Sequence, residues 1–207
     1  YVATGRNLEA AIQNAEPGIP INNVLAEPCK RNTTGCLVYV AANLLARFPE
    51  QADSVTIAVV TADHSIPDTQ AFHQTVNTAM KAAEENDALV TIGIKPTRAE
   101  TGYGYIEIGD NNAPEDKVSD VKRFTEKPNE EDAAYYVASG RYFWNSGMFF
   151  WRLSTFMNEL QKAQPEIAQI TYNMAEALQT NDPEAVNGVF EDLPNISIDY
   201  ALMEKAS

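Results

Sequence analysis

Val55-Thr56-Ile57-Ala58-Val59-Val60-Thr61-Ala62-Asp63-His64 is the stretch whose reading decides the fold. Its first part, Val55–Val60, is apolar and rich in β-branched residues, which predicts a continuous buried strand. The polar Thr61–His64 follows at once, and Thr69–Glu85 then carries apolar residues at helical spacing. Strand, polar turn and helix in that order form the repeating unit of an open α/β sheet. Ligands of such sheets bind at the carboxyl ends of the strands, where Asp63 falls. A carboxylate there can hold Mg²⁺, or another hard divalent cation, against a phosphate. The competing reading makes Asp63 a cap of the turn or of the following helix, and His64 an ordinary loop histidine.

Working outward, the same alternation recurs. Tyr1–Thr4 predicts a strand, the stretch from about Gly5 to Asn14 a helix, and Ile21–Ala26 another strand. Thr33–Phe48 has Leu37, Val40, Ala41, Leu44, Leu45 and Phe48 at helical spacing. Ala88–Ile94 predicts a further strand. Tyr103–Gly109 and Val118–Glu126 read as a hairpin around the polar loop Asp110–Asp116. Helices are expected at Asn129–Ser139, Leu153–Leu160, Glu166–Leu178 and Ile198–Lys205. Pro165 suits a helix start and Ser197 an N-cap. The aromatic run Tyr142–Trp151 predicts strand and turn, with Tyr142, Phe143, Phe149, Phe150 and Trp151 in the core rather than at an interface. The expected class is α/β: a Rossmann-like, mostly parallel sheet with helices on both faces, in one domain spanning 1–207.

Composition narrows the function. A net charge of −14 without a Lys/Arg run excludes a nucleic-acid binder and disfavours an anionic membrane surface. No apolar run approaches a membrane span, so a cytoplasmic protein is expected. Cys29 and Cys36 are too few for a disulfide framework or a zinc site, which leaves two reduced thiols. Phosphorylated small molecules remain compatible with the charge, because a bound cation and a few placed Lys or Arg offset local repulsion. A homo-oligomer is equally compatible.

Further stretches can carry chemistry. Gly102-Tyr103-Gly104-Tyr105 lets backbone approach a ligand closely, or is a glycine-rich turn. In Glu126-Lys127-Pro128 a carboxylate can accept from sugar hydroxyls and an ammonium can pair with a phosphate. Both reach one ligand only where the strand ends or bends, and Pro128 favours an ending there. The alternative is a weak surface ion pair. Asn145-Ser146-Gly147 interrupts an apolar run, which fits either a sugar-binding amide or a β-bulge. Asp199 can supply a second carboxylate, or simply favour a helix N-terminus.

Taken in order, Glu27-Pro28 with Arg31-Asn32-Thr33, Ala62-Asp63-His64, Thr101-Gly102-Tyr103-Gly104-Tyr105-Ile106, Glu126-Lys127-Pro128, Trp144-Asn145-Ser146-Gly147-Met148-Phe149 and Ser197-Ile198-Asp199-Tyr200 resemble the motifs of bacterial mannose-1-phosphate guanylyltransferases. The resemblance implies the nucleotide-diphospho-sugar transferase fold. It also implies a reaction of GTP with mannose 1-phosphate to give GDP-mannose and pyrophosphate. By the same resemblance, Asp63 and Asp199 hold Mg²⁺ and Lys127 binds the sugar phosphate. Glu126, Asn145 and the Gly104 backbone read the mannose, with Tyr105 and Gly147 as further substrate-binding residues. Arg31, Asn32 and Thr33 lie near the nucleotide.

The family's opening strand with its G-G-x-G-T-R-L-W-P-L-S loop does not occur in this sequence, nor does its W-S-D-V-G segment. The domain is therefore expected to be incomplete at both ends, with the N-terminal loop strand absent. Two alternatives follow: a non-catalytic sugar-nucleotide-binding paralogue or fragment, and a transferase for another sugar 1-phosphate or nucleotide. The two metal-type carboxylates favour a catalyst over a pure binding module.

Overall fold

The computed structural model describes residues 1–15, 18–109 and 118–206; the predicted polar loop Asp110–Asp116 lies outside them. The elements run β1 (Val2–Gly5), α1 (Glu9–Asn14), β2 (Val24–Glu27), α2 (Asn32–Arg47), β3 (Thr56–Val59), α3 (Thr69–Asn86), β4 (Val90–Ile94), β5 (Tyr105–Ile108), β6 (Val121–Thr125), α4 (Glu130–Ser139), β7 (Tyr142–Arg152), α5 (Leu153–Ala163), α6 (Pro165–Gln179) and α7 (Pro183–Glu191). A π-helical turn, Asp199–Met203, follows. Contacts divide the chain into two compact units, Tyr1–Ala52 with Met157–Lys205, and Asp53–Phe156.

In the first unit β1 and β2 pair in parallel, Val2 opposite Val24 through Gly5 opposite Glu27. Helix α2 covers them and packs on α6. Its buried face is Thr34, Val38, Ala41, Ala42 and Leu44, the spacing that one helix face requires. Pro165 opens α6 as expected. The fully buried Phe190 of α7 meets the Tyr39 ring edge-on at 5.6 Å. Residues 21–23 differ from the strand expected over Ile21–Ala26: Pro20 accepts from the Asn23 amide at 2.8 Å, and a 3₁₀ turn precedes β2. Both cysteines are free thiols. Burial and the Glu27 carboxylate push the Cys36 thiol up to about 12.

The second unit is organised by β7, which is antiparallel to β3, β4 and β5; β6 completes the hairpin with β5. The α/β class holds, but the sheets are mixed. Strands β3, β4 and β5 share one direction, as a parallel sheet predicts, while β7 runs against all three and pairs with each. Side chains alternate along β7. Met148 and Phe150 meet Ala79 and Ala83 of α3. Trp151 faces the other way, stacking on Phe149 at 5.5 Å and on Phe156 of α5 at 4.9 Å, so helices cover both faces. Helix α4, capped by Asn129, buries Tyr136 against Tyr142 with ring centroids 4.0 Å apart. The Val55–Val60 run is not a buried strand. Strand β3 is half-exposed and Val60 is 50% exposed, because among the described residues β3 has β7 as its one strand partner.

Glu107 pins β5 to both neighbours. Its buried carboxylate lies 3.4 Å from Lys122 on β6 and 3.8 Å from Arg141, which precedes β7. Burial alone would raise its pKa. The Tyr142 and Lys122 hydrogen bonds, with the Lys122 and Arg141 charges, outweigh that and hold it below the ordinary value. The same burial and the neighbouring carboxylate push Tyr142 up to about 12. Because the folded pKa is depressed, the stabilisation is complete above the unfolded value of about 4.3 and is lost as pH falls through the folded one. Glu107→Gln is therefore expected to be less stable than the parent at pH 7. In urea titrations its deficit narrows as the pH is taken below 4; a deficit independent of pH would mean that packing, not charge, sets it.

Candidate functional site in the second unit

Strand β7 has two edges, and register shows what lies along each. Phe149 and Phe150 pair with both β3 and β4, so those strands flank β7 on opposite sides. Trp144 pairs with both β4 and β5, which puts β5 on the edge that β3 occupies further along. Between them Asn145 meets the entry to β5, its backbone N–H donating to Gly104 O at 2.8 Å. Ser146–Met148 then fall between the end of β3 and the start of β5. The loop after β3, which carries Thr61 and Asp63, and the glycine-rich entry to β5 thus converge on the Asn145-Ser146-Gly147 break.

The break is a bulge: between Thr91 and Gly93 the partner residues on β7 run from Phe149 to Asn145, two extra residues on β7. Gly147 absorbs it at φ 71°, a left-handed conformation that glycine adopts without penalty. A Cβ on Gly147 would point at Thr61 Cγ2, 3.6 Å away, in the loop that leads to Asp63. The Asn145 carboxamide oxygen accepts from Gly147 N and from Thr91 Oγ1, each at 3.1 Å. The bulge and the polar site are therefore one device, in which the turn orients the amide.

Gly104 explains the rest. A Cβ there would lie 2.5 Å from Glu126 Oε2 and 3.4 Å from Asn145 Cβ, so only glycine admits the carboxylate this close. Strand β6 ends at Thr125, and Lys127 takes φ 46°. The left-handed turn breaks strand alternation and lets consecutive side chains meet, Lys127 Nζ lying 2.7 Å from Glu126 Oε1. The Glu126 side chain is 9% exposed and that of Lys127 57%. A left-handed lysine costs on the order of 1–2 kcal/mol, a strain that collects at functional sites.

Asp63 sits in the turn after β3 with its side chain 85% exposed and its Oδ1 3.9 Å from His64 Nε2. It does not cap the next helix; Asp68 does, accepting from Ala71 N. Tyr105 supports the site from beneath. Its side chain is fully buried, donating to Glu100 O and accepting from Glu100 N. Among the described residues no group of three His, Cys, Asp or Glu could hold a metal. Mg²⁺ does not need one, since it keeps several waters and takes one or two carboxylates beside substrate phosphates; an exposed Asp63 fits that donor chemistry.

The first unit holds the remaining expected residues. Arg31 Nη2 donates to Glu191 O at 2.7 Å, Asn32 (φ 60°) accepts from Thr33 N at 2.9 Å, and Thr33 Oγ1 accepts from Ile198 N at 2.8 Å. These side chains brace the start of α2 and the approach to Asp199, which is half-buried at the start of the π-helical turn.

Thr91 and Glu100 were not singled out from sequence. Thr91 is the polar residue that interrupts the apolar run Val90–Ile92, and that interruption was the available signal. Glu100 braces the entry to β5: its carboxylate accepts from Arg98 and from Gly102 N.

A family model described as nucleotidyl transferase matches residues 5–192. The chain belongs to the nucleotidyl transferase family. It is 41% identical to a mannose-1-phosphate guanylyltransferase of Escherichia coli (strain K12), over 89% of this chain and 39% of the relative. It is also 41% identical to the alginate biosynthesis protein AlgA of Pseudomonas aeruginosa, over 89% of this chain and 38% of that one. A solved structure, the mannose-1-phosphate geranyltransferase of Thermus thermophilus, superposes with a TM-score of 0.80 at 32% identity, over 98% of this chain and 55% of that one. The chain thus spans about two fifths of the length of the curated relatives it matches. Among the described residues no helix of this nucleotidyl transferase chain is long and apolar enough to cross a membrane.

Gly104→Ala is expected to stay folded and to push the Glu126 carboxylate away from Lys127. Circular dichroism unchanged from the parent, with the carboxylate displaced in a crystal structure, is the expected result. A Glu126 still in its original place would mean that the strand end gives way instead.

Proposed function

We propose that the protein containing this chain is a cytoplasmic enzyme that makes GDP-mannose and pyrophosphate from GTP and mannose 1-phosphate. The observation that carries the reading is the convergence of Gly104, Glu126, Lys127 and Asn145 where the end of β3 meets the start of β5 on β7. Relatives bearing the guanylyltransferase name support the substrate pair.

In this reading Glu126 and the Asn145 amide group hydrogen-bond the mannose hydroxyls, and the absence of a side chain at Gly104 brings backbone to the ring. Lys127 pairs with the sugar phosphate and holds its oxygen in line with the α-phosphorus of GTP, from which pyrophosphate leaves. Asp63 in the second unit and, on the resemblance, Asp199 in the first are each proposed as a cation ligand. The cation supplies charge neutralisation on the phosphates when bound. Such a reaction needs positioning more than proton transfer, which agrees with a site built from one amide, one ion pair and backbone.

The test is magnesium-dependent pyrophosphate release with mannose 1-phosphate and GTP, ATP, UTP or dTTP in separate arms, alongside calorimetric binding of mannose 1-phosphate. Release with GTP alone is expected; release with another nucleotide alone corrects the base; no binding of the sugar phosphate overturns the reading. Lys127→Ala is expected to weaken mannose 1-phosphate about ten-fold or more while changing GTP little, as loss of a charge-assisted contact implies. Equal losses for the two substrates would remove Lys127 from the sugar phosphate. Asp63→Asn is expected to remain folded and lose most turnover, about a hundred-fold or more if it anchors the transition-state charge. Near-normal turnover would remove it from the metal.

A further inference from the structure

The stretch between α7 and the π-helical turn, residues 192–198, contains no helix or strand long enough to hold itself, yet it delivers Asp199. One tripeptide ties it at both ends. Arg31 takes the Glu191 carbonyl where α7 stops, and Thr33 takes the Ile198 amide immediately before Asp199, across 160 and 165 residues of sequence. Asn32 sits between them in a left-handed turn, its carboxamide oxygen accepting from the Thr33 amide, so Thr33 is itself fixed at the first turn of α2.

The first amides of a helical segment have no partner within it and must be met from outside. Here the Ile198 amide is met by Thr33 Oγ1, and the Tyr200 amide by Ser197 Oγ at 3.4 Å. Ile198 is 1% exposed, so its amide has no ready access to water if Thr33 lets go. The turn that follows is π-helical, a local widening that occurs often at functional sites. The Asp199 carboxylate thus leaves a backbone whose entry is held by a hydroxyl from another part of the chain.

We infer that Thr33 is a positioning residue for Asp199: its hydroxyl fixes the entry of the π-helical turn and through it the aim of the carboxylate. This rests on the reading of Asp199 as a cation ligand. Groups that orient a metal ligand from behind commonly contribute ten- to hundred-fold to affinity.

The experiment titrates the chain with Mn²⁺ in the presence of GTP, followed by electron paramagnetic resonance against a protein-free Mn²⁺–GTP blank, in the parent, Asp199→Asn, Thr33→Val and Thr33→Ser. Amide exchange at Ile198 is measured in each. Asp199→Asn is expected to lose Mn²⁺, Thr33→Val to bind it about ten-fold more weakly with a faster-exchanging Ile198 amide, and Thr33→Ser to restore both. Parent-like Mn²⁺ affinity in Thr33→Val, with Asp199→Asn still defective, would overturn the positioning role and leave the metal reading standing. Parent-like binding in Asp199→Asn, or none in the parent, would remove Asp199 from the cation and this inference with it. An Ile198 amide that exchanges in the parent as fast as an open loop would also overturn it, whatever the variants do.

Discussion

Strand β7 is the constraint on which the second unit depends. It binds β3, β4 and β5, and its side chains are the floor of both faces. It also carries two extra residues midway, where Gly147 turns left-handed. A strand that paired without interruption would bring its neighbours into continuous register and close the gap between β3 and β5. The insertion keeps that gap open, and the gap is lined by what the bulge turns toward it. The same backbone thus supplies cohesion at 142–144 and 149–152 and a polar opening between.

Much of this was legible in sequence, for identifiable reasons. Strand–turn–helix order gave the α/β class, and Asn129 and Pro165 gave helix starts because caps and first-turn prolines follow from local chemistry. The ending of β6 before Lys127 was readable from Pro128. Other features depend on distant partners. Val55–Val60 has the composition of a buried strand, but burial is set by neighbours, and among the described residues β3 has one strand partner. The carbonyl and amide that satisfy the Tyr105 phenol belong to Glu100, and no spacing rule reveals that pair. The antiparallel sense of β7 has no local signature either. Helix α7 was within reach: Asp182-Pro183-Glu184 has an N-cap, a first-turn proline and an early acid, and Asp182 does cap it.

Two of the chain's departures from easy geometry fall at candidate residues, Asn32 and Lys127. Asp87 and Asn181 take positive φ in the ordinary way of short polar residues ending helices. Lys127 has no such excuse, and its backbone places an ammonium beside a nearly buried carboxylate. Asn32 opens α2 in the same conformation, between two side chains that fasten a remote segment. Folding would be served as well by glycine at either position. What glycine would not supply is a charge at one site and a self-capping amide at the other.

The two tryptophans of the chain lie on this one strand, in unlike surroundings. Trp151 is sealed between the rings of Phe149 and Phe156, and reports whether the sheet is assembled. Trp144 lies at the opening, with the Arg98 guanidinium 5.5 Å from its ring, Tyr103 edge-on at 5.3 Å, and an indole N–H that has no hydrogen-bond partner among the described residues. Its ring also packs in the buried cluster of Tyr105, Tyr136 and Tyr142, so its emission reports both that packing and the entry to β5. The molecule carries a built-in pair of optical probes, one for the sheet and one for the entry to β5, separable by replacing either indole with phenylalanine.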